Sequence, residues 1–379
     1  MTSAALTMIT SGLGSGGSEL QFCQLAIGLV DRGWEVNVIS LQRGGRYRSL
    51  LAQHGIDVRE CPVGRLTTPR AFLRLVSTIG SLPPAIIHTQ AFRANLWGRL
   101  AGILQSQPIV ASVRATYAYL PRSYYTIERA FSARTAKVIV PSRATAQHLV
   151  REVGIAADRV VVIPNGVDAE AFGPPREGLD FRNRWQLQGR FVILAPGRLV
   201  PQKNHALLIE AFVRFVRARP GATLVIAGAG PLEKHLKKQS AGTGSDAPVL
   251  FVGELDRASL ASAMAAADVV ALASNFEGMP NVLLEAMASA RPVVATNVDG
   301  SGEVVTNGVD GFLVAPRSAQ LFADALIYLA DSPSVRLAFG AAGRRRVQAD
   351  FTIDASTVAH IKVYQSVLSR PQATRTLSL

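Results

Sequence analysis

Apolar positions along the chain fall into two rhythms that alternate. Near the amino terminus ALTMIT (residues 5–10) is a short apolar run that passes through a glycine-rich loop into SELQFCQLAIGLVDRG (18–33), where apolar residues recur every three or four positions, and then into EVNVIS (35–40). Just past the middle the succession repeats as FVILAPGRL (191–199), a loop, HALLIEAFVRFVRARPG (205–221) and TLVIAGAG (223–230). A continuous apolar run bounded by turn residues predicts a strand buried on both faces of a parallel sheet, and a period of about 3.6 residues predicts an amphipathic helix. Both stretches are therefore βαβ beginnings, and the chain is predicted to form two doubly wound α/β domains in tandem. Further strands are predicted at AIIHTQ, IVASVR, KVIVPS, VVVIP, VLFVGE, VVALAS and PVVATN. The Pro-, Gly- and charge-rich FGPPREGLD (172–180) is the expected connection between the domains. The boundaries that follow are a first domain over 1–172, a linker over 173–187 and a second domain over 188–350, with a closing amphipathic helix in 351–379.

Composition agrees with this division. A chain of 379 residues, 48% hydrophobic and 18% charged, exceeds what one hydrophobic core usually supports. Its two cysteines, Cys23 and Cys61, make neither a disulfide framework nor a metal-ligand cluster, and the scattered histidines have no metal-ligand spacing. No apolar run approaches the ~18 residues of a spanning helix, so a soluble or peripheral protein is expected. The net charge of +13 is unevenly placed. No acidic residue lies between Glu60 and Glu128, while Arg65, Arg70, Arg74, Arg93, Arg99, Arg114 and Arg122 do, with Tyr117, Tyr119, Tyr124 and Tyr125 among the last of them. Such a window fits nucleic acid, an anionic membrane surface or a phosphorylated substrate, or is simply a solvated basic face.

Three segments carry candidate chemistry. In ITSGLGSGGSEL (9–20), Gly12, Gly14 and Gly17 have the G-x-G-x-x-G spacing that lets backbone approach a phosphate. A nicotinamide dinucleotide site also needs an acidic residue about 20 positions on. The stretch there, VNVISLQRGG, has none. In SNFEGMPNVLLEAMASARPVVATNVDGSGEVV (274–305), Glu277 lies on a turn, Pro280 opens a helix, and Glu285 lies more than a turn inside it, seven residues separating the two carboxylates. The helix start near Asn281 offers N–H groups to an anion, and a carboxylate beside it suits a ribose. In GRLVPQKN (197–204), Arg198 and Lys203 follow a strand, where open α/β sheets bind ligands, and can neutralise a diphosphate. No D-x-D pair occurs in the chain, so metal-independent chemistry without a cofactor is expected. Taken singly, each of these residues also reads as an ordinary surface or helix charge.

Taken in order, IPNGVD (163–168), GRLVPQKN, LVIAGAGP (224–231), VLFVGEL and the E-x7-E segment resemble the retaining glycosyltransferases of family 4, which have the GT-B fold, and GSGGSE resembles that family's glycine loop. The resemblance implies two Rossmann-like domains facing a cleft, a sugar nucleotide held mainly by the second, and a last helix, FTIDASTVAHIKVYQSVLS, returning to the first. It makes Glu285 the ribose ligand, Arg198 and Lys203 the diphosphate clamp, and Glu277 a neighbour of the transferred sugar. Catalysis would rest on Glu277, Arg198 and Lys203. The backbone at Gly16 and Gly17 would approach the phosphates, Gly253 and Leu255 would read the base, the turn from Gly228 would pack beside them, and Gly278, Met279, Pro280 and Asn281 would cover the distal phosphate and sugar.

The chain departs from the family pattern at three places. Arg114 stands where relatives often have a histidine that touches the donor sugar, His88 is followed by Gln90 where an H-x-H pair is common, and Ala290 replaces a usual glycine. His88 and Arg114 are thus candidates for the acceptor or sugar side, although His88 by itself reads more readily as a structural hydrogen-bonding residue. The expected activity is retaining transfer of a hexose-type sugar from a nucleotide diphosphate sugar, UDP favoured, to a hydroxyl acceptor. A lipid-linked or cell-envelope acceptor is expected, at a cytoplasmic location peripheral to the inner membrane face, with an anionic membrane surface rather than nucleic acid as partner. Two other readings stay open: a GT-B sugar-nucleotide epimerase or inactive relative, and an NADP-dependent oxidoreductase with Arg43 or Arg46 on the 2′-phosphate.

Overall fold

The computed structural model describes residues 5–64, 68–116, 122–173, 178–242 and 248–369. Contacts divide the chain into two compact units: Met1–Gly166 with Ile353–Leu379, and Val167–Thr352. Arg65, Tyr117, Tyr119 and the whole PPRE portion of the expected linker lie outside the described residues. The described part of 173–187 is not extended chain: Gly178–Arg184 is a helix, and Phe181 and Leu187 are buried in the core of the second unit.

The first unit holds a seven-stranded parallel sheet of order β3-β2-β1-β4-β5-β6-β7. Its strands are β1 (Ala5–Thr10), β2 (Glu35–Ser40), β3 (Val58–Glu60), β4 (Ile86–Gln90), β5 (Ile109–Ser112), β6 (Lys137–Val140) and β7 (Val160–Val162). The second unit holds a six-stranded parallel sheet of order β10-β9-β8-β11-β12-β13. These strands are β8 (Phe191–Pro196), β9 (Ala222–Ala227), β10 (Val249–Gly253), β11 (Val269–Leu272), β12 (Val293–Thr296) and β13 (Gly311–Val314). In each sheet the order reverses beside the first strand, between β1 and β4 and between β8 and β11. Such a switch point opens a crevice at the carboxyl ends of the strands.

Helices on both faces explain why β4, β5, β9, β11 and β12 are buried at every position. The helix His205–Ala218 turns Leu208, Phe212 and Phe215 onto one face of the second sheet, and Asn281–Ala288 turns Leu283, Leu284 and Met287 onto the other. The two strands absent from the sequence reading, β3 and β13, are at sheet edges. Val-Arg-Glu of β3 is too short and too polar for an apolar run, and β13 is a four-residue strand opened by Gly311. A side chain at Gly311 would collide with Val293 of the neighbouring strand.

The last helix, Ile353–Leu368, packs within the first unit. Gly28 makes room for it, since a Cβ there would meet Thr357 at 2.7 Å. Tyr364 is fully buried, and its hydroxyl hydrogen-bonds His88 Nδ1 at 2.7 Å while Ser112 Oγ engages Nε2 at 2.7 Å. With both ring nitrogens occupied and no solvent exposure, His88 ties this helix to β4 and β5; the acceptor-side role is corrected to a structural one. Burial first, then His360 and Arg114, hold its pKa well below the ordinary 6.5, so the ring is neutral.

Candidate active site

The second switch point gathers the segments singled out in the sequence. GRLVPQKN leaves β8, SNFEGMPN leaves β11, and DGSGE follows β12. Gly228 and Gly230 let the β9 turn lie on the β8 turn: a Cβ on Gly228 would overlap the Gly197 carbonyl oxygen, and one on Gly230 would meet Leu199 O at 2.5 Å. The two turns are joined by Leu199 N donating to Ala229 O at 2.9 Å and Leu232 N to Leu199 O at 3.0 Å. Asn204, in the left-handed region at φ 48°, ends the β8 loop and starts the helix from His205.

Lys203 Nζ donates to Glu277 Oε1 at 2.5 Å, and Ser274 Oγ donates to the same oxygen at 2.6 Å. Glu277 is 5% exposed, and its backbone N–H donates to Asp299 Oδ2 at 2.9 Å. Gln202 stitches the same two loops, its Nε2 donating to Phe276 O at 3.0 Å and its carbonyl accepting from Asn275 N at 2.8 Å. The Lys203–Glu277 pair is thus a rigid, nearly dry element that orients the β11 loop, so Lys203 is not the free cation the clamp reading assumed. Arg198 is the free one: it is exposed and its guanidinium has no hydrogen-bond or ion-pair partner among the described residues. Ser274, Gln202 and Asp299 went unread in the sequence, although the Asp-Gly at the end of a buried strand was a turn signal that could have marked Asp299.

Pro280 is the N-cap of the helix Asn281–Ala288 rather than part of its first turn. Glu285 is the fifth residue of that helix, 7% exposed, and its carboxyl takes no hydrogen bond from any described residue. Burial raises its pKa to about 7, against the attraction of Arg257 and Lys203. An unpartnered buried carboxyl lacks the hydrogen bonds that compensate burial elsewhere, so it is a ready acceptor for ligand hydroxyls. Asp168 behaves as a turn former, accepting from Ala171 N at 3.0 Å, and also pairs with Arg257 at 3.0 Å. Met279 and Gly278 are buried in the loop before the helix. Gly253, at φ 74°, ends β10 at a register shift, with Leu255 packed against the core nearby. Ala290 holds φ 53°, the left-handed conformation for which glycine is the usual residue, just after the helix.

In the first unit the glycine loop follows β1, and Gly16 caps the helix Gly17–Val30. A Cβ on Gly16 would overlap the Glu19 carboxylate, which folds back over the loop and accepts from Ser18 Oγ at 2.8 Å. Gln90, at the end of β4, donates to Ser18 O at 2.6 Å, and its Oε1 accepts from Arg114 Nε at 3.0 Å. Arg114 Nη1 donates to Asn165 Oδ1 at 3.1 Å.

A pair of doubly wound sheets, each with loops gathered at its switch point, defines a two-unit α/β protein of the Rossmann-like class. A model of the glycosyl transferases group 1 matches residues 180–346, and one of glycosyltransferase family 4 matches residues 15–171. The chain belongs to the family 4 glycosyltransferases, has the GT-B fold, and is a hexosyltransferase. It is 29% identical over 306 residues to glycogen synthase of Mycobacterium tuberculosis, covering 78% of this chain and 72% of that protein. It is 28% identical over 258 residues to the UDP-Gal:alpha-D-GlcNAc-diphosphoundecaprenol alpha-1,3-galactosyltransferase of Escherichia coli, covering 65% of this chain and 66% of the other. The crystal structure of Anabaena HepE in complex with UDP and glucose superposes with a TM-score of 0.86 at 23% identity, over 95% of this chain and 99% of that one.

Proposed function

We propose that the enzyme transfers a hexose from a UDP-sugar, with retention of configuration and without a metal, to a hydroxyl on a lipid-linked or envelope-glycan acceptor at the inner face of the cell membrane. The observation that carries the donor half is the unpartnered Glu285 carboxyl buried inside the helix that starts at Asn281, on the same switch point as the free guanidinium of Arg198. A nucleotide diphosphate sugar supplies what each lacks: ribose hydroxyls for the carboxyl and a diphosphate for the cation and the helix N-terminus.

As the glycosidic bond breaks, negative charge grows on the leaving diphosphate. Arg198 and the N–H groups from Asn281 stabilise that charge, and interactions strengthened in the transition state raise turnover rather than binding. Arg198 and the helix N-terminus take the place a metal would have. Glu277, locked by Lys203 and Ser274, positions the loop beside the sugar. UDP is favoured because the E. coli relative is named for UDP-Gal and the Anabaena structure holds UDP.

The acceptor half rests on the acid-free window. Arg70, Arg74 and Arg122 are exposed, and Leu73, on the same helix face as the first two, is 64% exposed. The window is not uniformly a surface, however. Arg99 is buried against Glu128, and Tyr124, expected at an interface, is 7% exposed and donates to Glu128 Oε2 at 3.1 Å. No helix among the described residues is long and apolar enough to cross a membrane. Each cation close to an anionic surface adds about 1 kcal/mol of attraction.

One experiment tests the reading. Full-length enzyme is incubated with a panel of nucleotide sugars and undecaprenyl-diphosphate-linked acceptor in phosphatidylglycerol vesicles, with and without excess chelator, and the product anomer is read by NMR. Retained α-configuration from a UDP-sugar, undiminished by chelator and weakened when Arg70, Arg74 and Arg122 become Gln, is expected. Turnover that needs added Mg²⁺ or Mn²⁺ refutes the metal-free part, and equal activity on neutral vesicles refutes the membrane part.

A further inference from the structure

The first unit treats the guanidinium groups of Arg99 and Arg114 differently. Arg99 is 1% exposed and lies 2.5 Å from the Glu128 carboxylate, itself 1% exposed, so the domain supplies a counter-ion where it places a cation for structural purposes. Arg93 and Arg159 direct their donors mainly to main-chain carbonyls such as Ser11 O at 2.9 Å and Ser132 O at 2.6 Å. Arg114 follows neither pattern. It is half-buried at the carboxyl end of β5, beside the switch point, and two neutral side-chain amide oxygens, Gln90 Oε1 and Asn165 Oδ1, hold its Nε and Nη1. Gln90 is itself anchored to the glycine loop through Ser18 O. Nη2 has no partner among the described residues, and no carboxylate pairs with the group.

Among the described residues the surroundings add no negative charge. His88 and His360 face Arg114 electrostatically and are neutral, and Tyr364 keeps its phenol proton, burial raising its pKa. His360 Nδ1 is engaged by Ser356 O at 2.8 Å. Its Nε2 is buried without a partner and lines a small polar cavity with Arg114, Gln21, Gln24, Gly166 and Ser356. A guanidinium oriented by neutral amides, with Nη2 unengaged and no counter-ion among the described residues, is an incomplete ion pair whose missing half is an anion.

We propose that Arg114 is a specificity-determining residue that receives a carboxylate or phosphate group of the substrate. This rests on the glycosyltransferase reading above and narrows its substrate class: either the donor sugar carries a carboxylate or the acceptor carries a phosphate. The shared chemistry is an anion that presents two oxygens to the guanidinium, a geometry that lysine does not reproduce.

The test compares wild type, Arg114→Lys and Arg114→Met in substrates paired by charge. For the donor arm, UDP-glucuronate is set against UDP-glucose; for the acceptor arm, an alkyl-phospho-sugar is set against the matching alkyl glycoside. Wild type is expected to prefer the charged member of one pair by tenfold or more in kcat/KM. Arg114→Met should remove that preference through KM, costing the charged member at least tenfold more in kcat/KM than the neutral one, and Arg114→Lys should restore only part of it. Which arm responds identifies the source of the anion. Calorimetric titration of octyl phosphate and of glucuronate, each against wild type and Arg114→Met, reads the anion site without turnover. Loss of binding in Arg114→Met supports the proposal even if no UDP-sugar is transferred. Turnover with no charge preference in either arm, or a preference that survives in Arg114→Met, overturns it and leaves the transferase reading intact.

Discussion

Glu285→Gln should make the free enzyme more stable while weakening its grip on the donor. In the folded protein burial raises the Glu285 carboxyl from its ordinary 4.5 to about 7. Because the folded pKa lies above the unfolded one, the native state keeps a proton that the unfolded chain releases in between. The stability this confers is fully present below about pH 4.5 and is lost as the pH rises through about 7. At ~1.4 kcal/mol per tenfold change in proton affinity, the ionised carboxylate costs the free enzyme about 3 kcal/mol above pH 8 and less than about 1 kcal/mol near pH 5. A neutral glutamine of nearly the same shape removes that dependence. Urea unfolding of wild type and variant, run in parallel at pH 5 and pH 8.5, should therefore show a gap that opens with pH in favour of the variant. Calorimetry with UDP-sugar at the higher pH should show the opposite order, a loss of roughly 1.5–3 kcal/mol in binding for a charged hydrogen bond to ribose. Wild-type affinity should also rise across neutral pH, and the variant's should not. A stability gap that does not move with pH refutes the burial argument, and unchanged donor affinity removes Glu285 from the site.

Arg198→Ala should leave folding untouched, since the side chain is exposed and unpartnered, and should lower kcat by more than it raises KM in steady-state assays. Lys203→Ala should instead destabilise the second unit by about 3–5 kcal/mol in chemical denaturation, because it strands the buried Glu277 carboxylate without its cation. Gly228→Ala and Gly253→Ala separate two uses of glycine. The first forces a methyl into the Gly197 carbonyl and should cost about 3 kcal/mol or prevent soluble expression, whereas the second meets nothing within 4 Å and should cost only the ~1 kcal/mol of a left-handed backbone in a thermal melt.

Local pattern determined most of the architecture, because a strand buried on both faces must be apolar throughout and a covering helix must repeat every three or four residues. Eleven of the strands follow from those runs, and β3 and β13 escape only because an edge strand can be short and polar or open on glycine. The place of the candidate donor site was legible for the same reason: GRLVPQKN and the E-x7-E segment leave buried strands β8 and β11, and the order of strands makes those ends neighbours. What each charge does there was not legible. Lys203 and Glu277 are 74 residues apart, and only the parallel pairing of β8 with β11 brings them into an ion pair. Arg99 and Arg114 look alike in an acid-free window, yet one meets Glu128 and the other only amides. His88 resembled a site residue until Tyr364, 276 positions away, closed over its ring. Hydrophobic burial is specified by a residue's neighbours in the chain, but the partner of a polar atom is decided by which distant segment the fold places within about 3 Å of it.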